Sequence, residues 1–389
     1  MSDKWRDDPL GRLIGPERIG DFFARVYERE ALIVAHGDGA RFADLISIAA
    51  VDRIVTGVDL KEGQLDLANA ARQLMKSDYL DSAGYVDRGA VAELFAAGST
   101  IILQQAHQLD PQLGAFCRGL ERVFSSHVQT NIYLTPANAQ GFRTHFDNHD
   151  VFVLQISGEK AWRLYDVPVD TPYRGEQFRS AEHPAGELRR EFVLRAGDCA
   201  YVPRGMMHDA ISSGAEPSLH VTVGLITRTW ADLMLEAISE VALRRVEFRR
   251  SLPAGFARAD FDREAARARL KELAAIAGAE IKLDPALELL IDDFIRSRPA
   301  DNAGAIVDAG APIAPTDRFR ARNSAPFRLA EDGESVALIA PGGDLGFAQS
   351  QRAALERALS GAVFTTAELG EGAEKLVQRL LTRALIERV

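Results

Sequence analysis

In the stretch Gly141-Phe-Arg-Thr-His145-Phe-Asp147, an imidazole and a carboxylate stand two residues apart. In extended chain, residues i and i+2 project from one face, so both groups can grip a single ion. Further on, Gly197-Asp-Cys-Ala-Tyr-Val-Pro203-Arg-Gly205-Met-Met-His208 brings in a second imidazole after a strand and a Pro/Gly turn. Two His and one Asp, here His145, Asp147 and His208, make the facial triad of non-haem Fe(II) oxygenases. Such a triad leaves coordination positions open for a cosubstrate and O2.

A lone H-x-D arises by chance on any half-polar strand, and a lone His says little more. The spacing G-x5-P-x-G-x2-H at 197–208 is more specific, because it matches the second cupin signature in full and follows an upstream H-x-D. Three other histidines compete for the ligand role. His149 continues the alternation from His145 and Asp147, but the apolar Val151-Phe-Val-Leu behind it implies a strand entering the core, so a supporting or surface role is expected. His183, in the Glu182-His-Pro-Ala-Gly loop, is expected to be solvated. His220 lies in Ser218-Leu-His-Val-Thr222-Val, where Ser218, His220 and Thr222 share the polar face that would line a barrel cavity, with Arg143 as a further candidate lining residue.

These residues need strands to hold them. From 127 to 225, short β-rich runs alternate with Gly/Pro turns, the texture of a sandwich or barrel. Upstream, 17–29 predicts a helix, 31–35 a strand and the residues up to 49 another helical stretch. A strand is expected at Ser99-Thr-Ile-Ile-Leu, and an amphipathic helix over 110–124 with Pro111 in its first turn. Beyond Arg228 the apolar spacing turns helical over 230–248, then over 261–278 and 284–297. The Ala/Gly/Pro-rich segment 298–315 reads as a linker. Past it come a helix near 349–359, a capping-box pattern at Thr365-Thr-Ala-Glu368, and a final helical stretch over 372–386. Small helices with a few strands suggest a winged helix. The fold class is therefore α+β, with domains at 1–229, 230–300 and 301–389.

At 389 residues and 47% hydrophobic composition, the chain can bury more than one core. It is charged from its third residue and has no apolar run near the roughly 20 residues of a membrane helix, so a cytoplasmic protein without membrane contact is expected. The two cysteines, Cys117 and Cys199, are too far apart for a C-x-x-C site and are expected as buried small hydrophobes. A net charge of −10 argues against a surface built to neutralise phosphates. The stretch 311–389 carries ten Lys/Arg against ten Asp/Glu, so direct nucleic-acid binding is not expected even of a winged helix.

Three runs carry a family resemblance: Asn131-Ile-Tyr133-Leu-Thr-Pro; His145 through Gln155-Ile-Ser-Gly158-Glu-Lys160-Ala-Trp162; and Gly197 through His208. Together they resemble the JmjC ribosomal oxygenase (cupin-4) family. The C-terminal order is similar too, with Arg249-Arg-Ser-Leu-Pro253 after the long helix, while 50–98 matches no family landmark closely. The resemblance implies a double-stranded β-helix, a helical dimerisation region and a terminal winged helix. It also implies Fe(II) at His145, Asp147 and His208, and 2-oxoglutarate and O2 as cosubstrates. The basic residue fifteen positions after the first His, Lys160, would pair with the distal carboxylate of 2-oxoglutarate. Read without the family, Lys160 would pass for a solvated surface lysine. Asn131 and Tyr133 match positions that hydrogen-bond the cosubstrate, with Thr222 as a fourth.

The expected activity is hydroxylation of a protein side chain, a His or Arg of a ribosomal protein, by a homodimer. A hydroxylase tailoring a ribosomally made peptide is the enzymatic alternative. A non-catalytic cupin sensor or adaptor, or a cupin enzyme using metal without 2-oxoglutarate, are the others. The complete set of His, Asp and Lys speaks against a sensor. The Asp at the second position, where three His and a Glu are usual, speaks against the last.

Overall fold

The computed structural model describes residues 4–300, 303–323 and 326–389. Met1-Ser2-Asp3 of the charged start, and Asp301-Asn302 of the expected linker, lie outside the described residues. The chain forms two compact units, Met1–Thr227 and Arg228–Val389.

The first unit is built on ten strands: β1 Leu32–Val34, β2 Leu65–Ala68, β3 Thr100–Leu103, β4 His127–Thr135, β5 Asp150–Ser157, β6 Glu159–Leu164, β7 Arg190–Arg195, β8 Cys199–Val202, β9 His208–Ser212 and β10 Ser218–Ile226. Seven form one antiparallel sheet in the order β1-β8-β5-β10-β4-β3-β2, and three form a second in the order β7-β6-β9. This is the double-stranded β-helix expected for the fold class. Period-2 alternation gives the large sheet two different faces. Ile132 and Leu134 of β4, Phe152 and Leu154 of β5, and Leu219, Val221 and Val223 of β10 turn outward into the main core. There they meet N-terminal helical residues such as Trp5, Leu13 and Phe22, and Phe116 and Leu120 of the helix Pro111–Phe124. The opposite face keeps Tyr133, Val151, Val153, His220 and Thr222 for an internal cavity.

The helix Pro111–Phe124 begins as expected, with Asp110 accepting from the amides of Gln112 and Leu113 and Pro111 at its first position. Two upstream expectations need correction. The first helix is irregular, running through 3-10, α and π turns over 16–26 before turning into β1. Residues 36–47 hold no helix at all. Ser47, whose hydroxyl accepts from Ala50 N, instead caps a helix over Ile48–Gly57. Both cysteines are fully buried.

The second unit opens with helices Trp230–Arg244, Arg263–Glu280 and Leu283–Ser297. The segment expected as a linker contains a short helix, Ala305–Gly310, held by Gln378 Nε2 donating to Ala309 O at 2.6 Å. Arg388 also donates to Pro312 O at 2.9 Å, so this stretch is packed structure. Small three-stranded sheets follow. One is β12 (Arg328–Asp332), β13 (Ser335–Ile339) and β14 (Leu345–Ala348); the other sets β11 (Arg318–Ala321) between β15 (Phe364–Thr365) and β16 (Ile386–Arg388). Phe319, Leu338, Phe364, Val377 and Leu380 share their core. The last helix, Glu374–Thr382, ends sooner than expected because the chain turns into β16. Among the described residues, no helix is long and apolar enough to cross a membrane.

Candidate metal centre

His208 opens β9, and the backbone of His145 bridges it from the neighbouring segment: His145 N donates to His208 O at 3.0 Å, and His208 N to His145 O at 2.7 Å. This reciprocal pair brings the H-x-D segment and the 197–208 signature together. One ligand atom each from His145, Asp147 and His208 falls within 4.8 Å of the others. The His208 Nε2 to Asp147 Oδ2 distance is 3.7 Å.

The signature glycines have a steric cause. Gly197 has φ +87°, and a Cβ there would sit 1.9 Å from Asp38 O; Gly205 has φ +85°, and its Cβ would sit 2.0 Å from Val169 O. Only glycine fits both the conformation and the approach. Asp198 between them accepts from Arg195 N at 2.9 Å and His36 N at 3.2 Å, fixing the turn into β8.

Both imidazoles are oriented by their own backbone. Nδ1 of His145 lies 2.9 Å from Arg143 O, and Nδ1 of His208 lies 2.9 Å from Met206 O. Nδ1 therefore carries the proton and leaves Nε2 as the free lone pair. Burial, with the nearby His145, lowers the pKa of His208 and keeps it neutral. Burial pushes the Asp147 carboxyl up, but His208, His149 and His145 outweigh it and hold the group below its usual value. A neutral His208 imidazole and the free Nε2 of His145 beside an ionised carboxylate form a donor set that fits a divalent cation.

The cavity beside this triad has a volume of about 280 Å³, and its lining includes Tyr133, Lys160, Trp162, His220 and Thr222. Lys160, expected from residue type alone on the surface, is 4% exposed. Its Nζ reaches Thr135 Oγ1 at 3.2 Å and His220 Nδ1 at 3.5 Å, with no ion pair among the described residues. Burial lowers its pKa to about 7. A buried ammonium without a counter-ion is costly, so this pocket fits an anionic ligand. His220 stacks on Tyr133 at 4.8 Å and 4°, because the two are directly paired between β10 and β4. Burial, and then Lys160, hold His220 well below its usual pKa, so it is neutral. Burial, and then Asp147, raise the Tyr133 pKa to about 12, against hydrogen bonds from Asn131 and Thr222.

The structure does not bring every candidate to the cavity. Asn131 stands behind Tyr133 and accepts from Gln105 N at 2.9 Å. Ser218 is buried but bonded to Gln155 Nε2 at 2.8 Å, and Arg143 turns outward to Ala70 O at 3.2 Å. His149 is half-buried against Gly224. His183 is half-buried, not solvated, with its ring 5.1 Å from that of Phe146. Phe178, 6.3 Å from the His145 ring, belongs to the same cluster. Phe142, which lines the cavity, the aromatic cluster of Phe146, Phe178 and His183, and the buried Asp209 were not marked by spacing. Their strand or loop neighbours give no periodic signal.

The chain matches the family described as "JmjC domain" over residues 102–233. It is 35% identical over 254 residues to "Ribosomal oxygenase 1" of Homo sapiens, covering 63% of this chain and 39% of that protein. It is 31% identical over 256 residues to "Bifunctional lysine-specific demethylase and histidyl-hydroxylase NO66" of Dictyostelium discoideum, covering 64% of this chain and 49% of that protein. The chain thus spans well under two thirds of the curated relatives it matches. Its fold is similar to that of the Escherichia coli ribosomal oxygenase YcfD, with TM-score 0.54 and 16% identity over 95% of this chain and 98% of that one. The structure of YcfD with cobalt and 2-oxoglutarate gives TM-score 0.52 and 15% identity, over 95% and 97%.

Proposed function

We propose, from a chain whose residues 102–233 match the JmjC domain family, that this protein is an Fe(II)- and 2-oxoglutarate-dependent hydroxylase acting on a His or Arg side chain of a ribosomal protein. The observation that carries it is a His145, Asp147 and His208 donor set sharing one cavity with the buried cation Lys160.

In this reading His145, Asp147 and His208 hold iron, and Lys160 pairs with the distal carboxylate of 2-oxoglutarate. When bound, iron, 2-oxoglutarate and O2 supply the oxidation that turns a substrate C–H into C–OH, with succinate and CO2 as co-products. Lys160 neutralises the buried carboxylate, while Tyr133 and Thr222 offer hydroxyl donors beside it. Asn131 supports this set from behind by bonding Tyr133. Val151, Val153, Val202 and Trp162 keep the cavity walls apolar and limit water. The half-exposed Phe142 lines the cavity and offers a ring on which a planar imidazole or guanidinium can stack.

The reading extends to the second unit, as a helical dimerisation region over 230–300 and a winged helix over 301–389. Support for a homodimer comes from Trp230, Met234, Leu235 and Ile238 on one helix and Leu283, Leu287 and Ile291 on another, all exposed and apolar. The substrate is tested by loading the protein anaerobically with Fe(II) and 2-oxoglutarate, admitting air over ribosomal proteins of its host, and weighing them. A one-oxygen gain on one protein, absent with His208→Ala, is expected. Succinate without any such gain would reject the ribosomal substrate.

A further inference from the structure

Asp209 is 4% exposed, lines the cavity, and contributes no atom to the triad. Its carboxylate accepts three side-chain hydrogen bonds: Thr144 Oγ1 at 2.7 Å, Arg163 Nε at 2.9 Å and Tyr165 OH at 2.8 Å. The positions of those donors matter. Thr144 immediately precedes His145, and Asp209 immediately follows His208. Arg163 belongs to β6, the strand that carries Lys160 and Trp162, and Tyr165 follows it directly. One buried carboxylate thus joins the segments that present the two imidazoles to the strand that presents the ammonium.

That tie is needed because the two histidines are held unequally. His208 begins a regular strand paired along β6, with Leu164 opposite it. His145 lies in a stretch between β4 and β5 with no helix or strand of its own, and it meets β9 through an isolated backbone bridge. Phe142 and Arg143 just before it are exposed. Two main-chain bonds hold the two backbones together, and Gly205 N donates to Asp147 O at 2.9 Å just beyond them. The Thr144–Asp209 bond adds a buried side-chain tie on the other side of His145. Arg163 balances the carboxylate charge at 2.9 Å, so Asp209 can do this without competing as a ligand.

We propose that Asp209 is a positioning residue: through Thr144 it fixes His145 against His208 and so sets the affinity and geometry of the metal site. The proposal rests on the metal reading above, and its test separates the two. The probe is Co(II), titrated into metal-free full-length protein and followed by calorimetry and by visible absorption, with folding checked by circular dichroism. Asp209→Asn keeps the shape but weakens the acceptor. It is expected to bind Co(II) on the order of 10-fold more weakly, with a shifted absorption band. Thr144→Val is expected to move both readouts in the same direction, and the double variant to lose no more than Asp209→Asn alone. A residue that merely stabilises the fold would lower Tm and leave the Co(II) affinity and band of the folded protein unchanged, which would overturn the proposal. Should Asp209→Asn not fold, Thr144→Val decides by the same two readouts. Failure of the unaltered protein to bind Co(II) would overturn the metal reading and this inference with it.

Discussion

Lys160 concentrates the electrostatics of the site. A lysine forced into an apolar cavity prefers to be neutral, and its pKa of about 7 reflects that burial. In the unfolded chain the group titrates near its ordinary 10.5, so between these values the unfolded state binds more protons than the folded one. By linkage, the stability of the ligand-free protein rises with pH across that window. Lys160→Met removes both the penalty and the pH slope. It is expected to raise the Tm of the ligand-free protein below pH 7 while abolishing 2-oxoglutarate binding; a Tm that falls would contradict the burial argument. An anion in the pocket draws the proton back, so 2-oxoglutarate binding at pH 8 is expected to take up protons, and affinity to weaken as pH rises above about 7. Calorimetry in buffers of different ionisation enthalpy measures that uptake, and an absence of uptake would remove Lys160 as the partner. At this scale the clustering of His145, Asp147 and His208 was legible, because they stand in a spacing suited to a strand followed by a tight turn. Lys160 was not legible by type alone. Its burial comes from β6 pairing between β7 and β9, a tertiary fact.

The turns that deliver these strands carry their own cost. Gly197 and Gly205 combine a left-handed conformation with a backbone oxygen at the place a Cβ would occupy. Gly197→Ala is therefore expected to destabilise the first unit by on the order of 3 kcal/mol, read by chemical denaturation. A loss well under 1 kcal/mol would show that the Asp38 loop simply yields. Alternation was visible along β4 and β10, since each places apolar residues on one face and Tyr133 or His220 and Thr222 on the other. It did not separate cavity from periphery: Ser218 and Asn131 share those faces but are taken up by Gln155 and Gln105. The absence of helix over 36–47 has a similar origin. Phe42 and Leu45 have helical spacing, yet they are buried from a turn that packs them into the main core.

Across the whole chain, the second unit leaves much apolar surface open. Trp230 is 79% exposed and Leu235 54%, on a helix whose Ala237 and Val241 are already buried. If a second copy covers this face, sedimentation of the unaltered protein gives a dimer, and Leu235→Glu with Met234→Glu gives a folded monomer. A folded monomer without substitution would leave the face to another partner. Helix periodicity made these helices legible but not what covers them, because spacing records an apolar stripe and not its occupant. The expected linker is packed for a related reason: its Ala and Pro residues offer backbone carbonyls that bond Gln378 and Arg388, which composition does not show. The most direct test of the account is succinate formation from 2-oxoglutarate by the metal-free protein resupplied with Fe(II) in air, beside His208→Ala. Iron-dependent succinate that disappears in the variant is the predicted result. Succinate that survives the variant, or none from the unaltered protein, would contradict an oxygenase built on His145, Asp147 and His208.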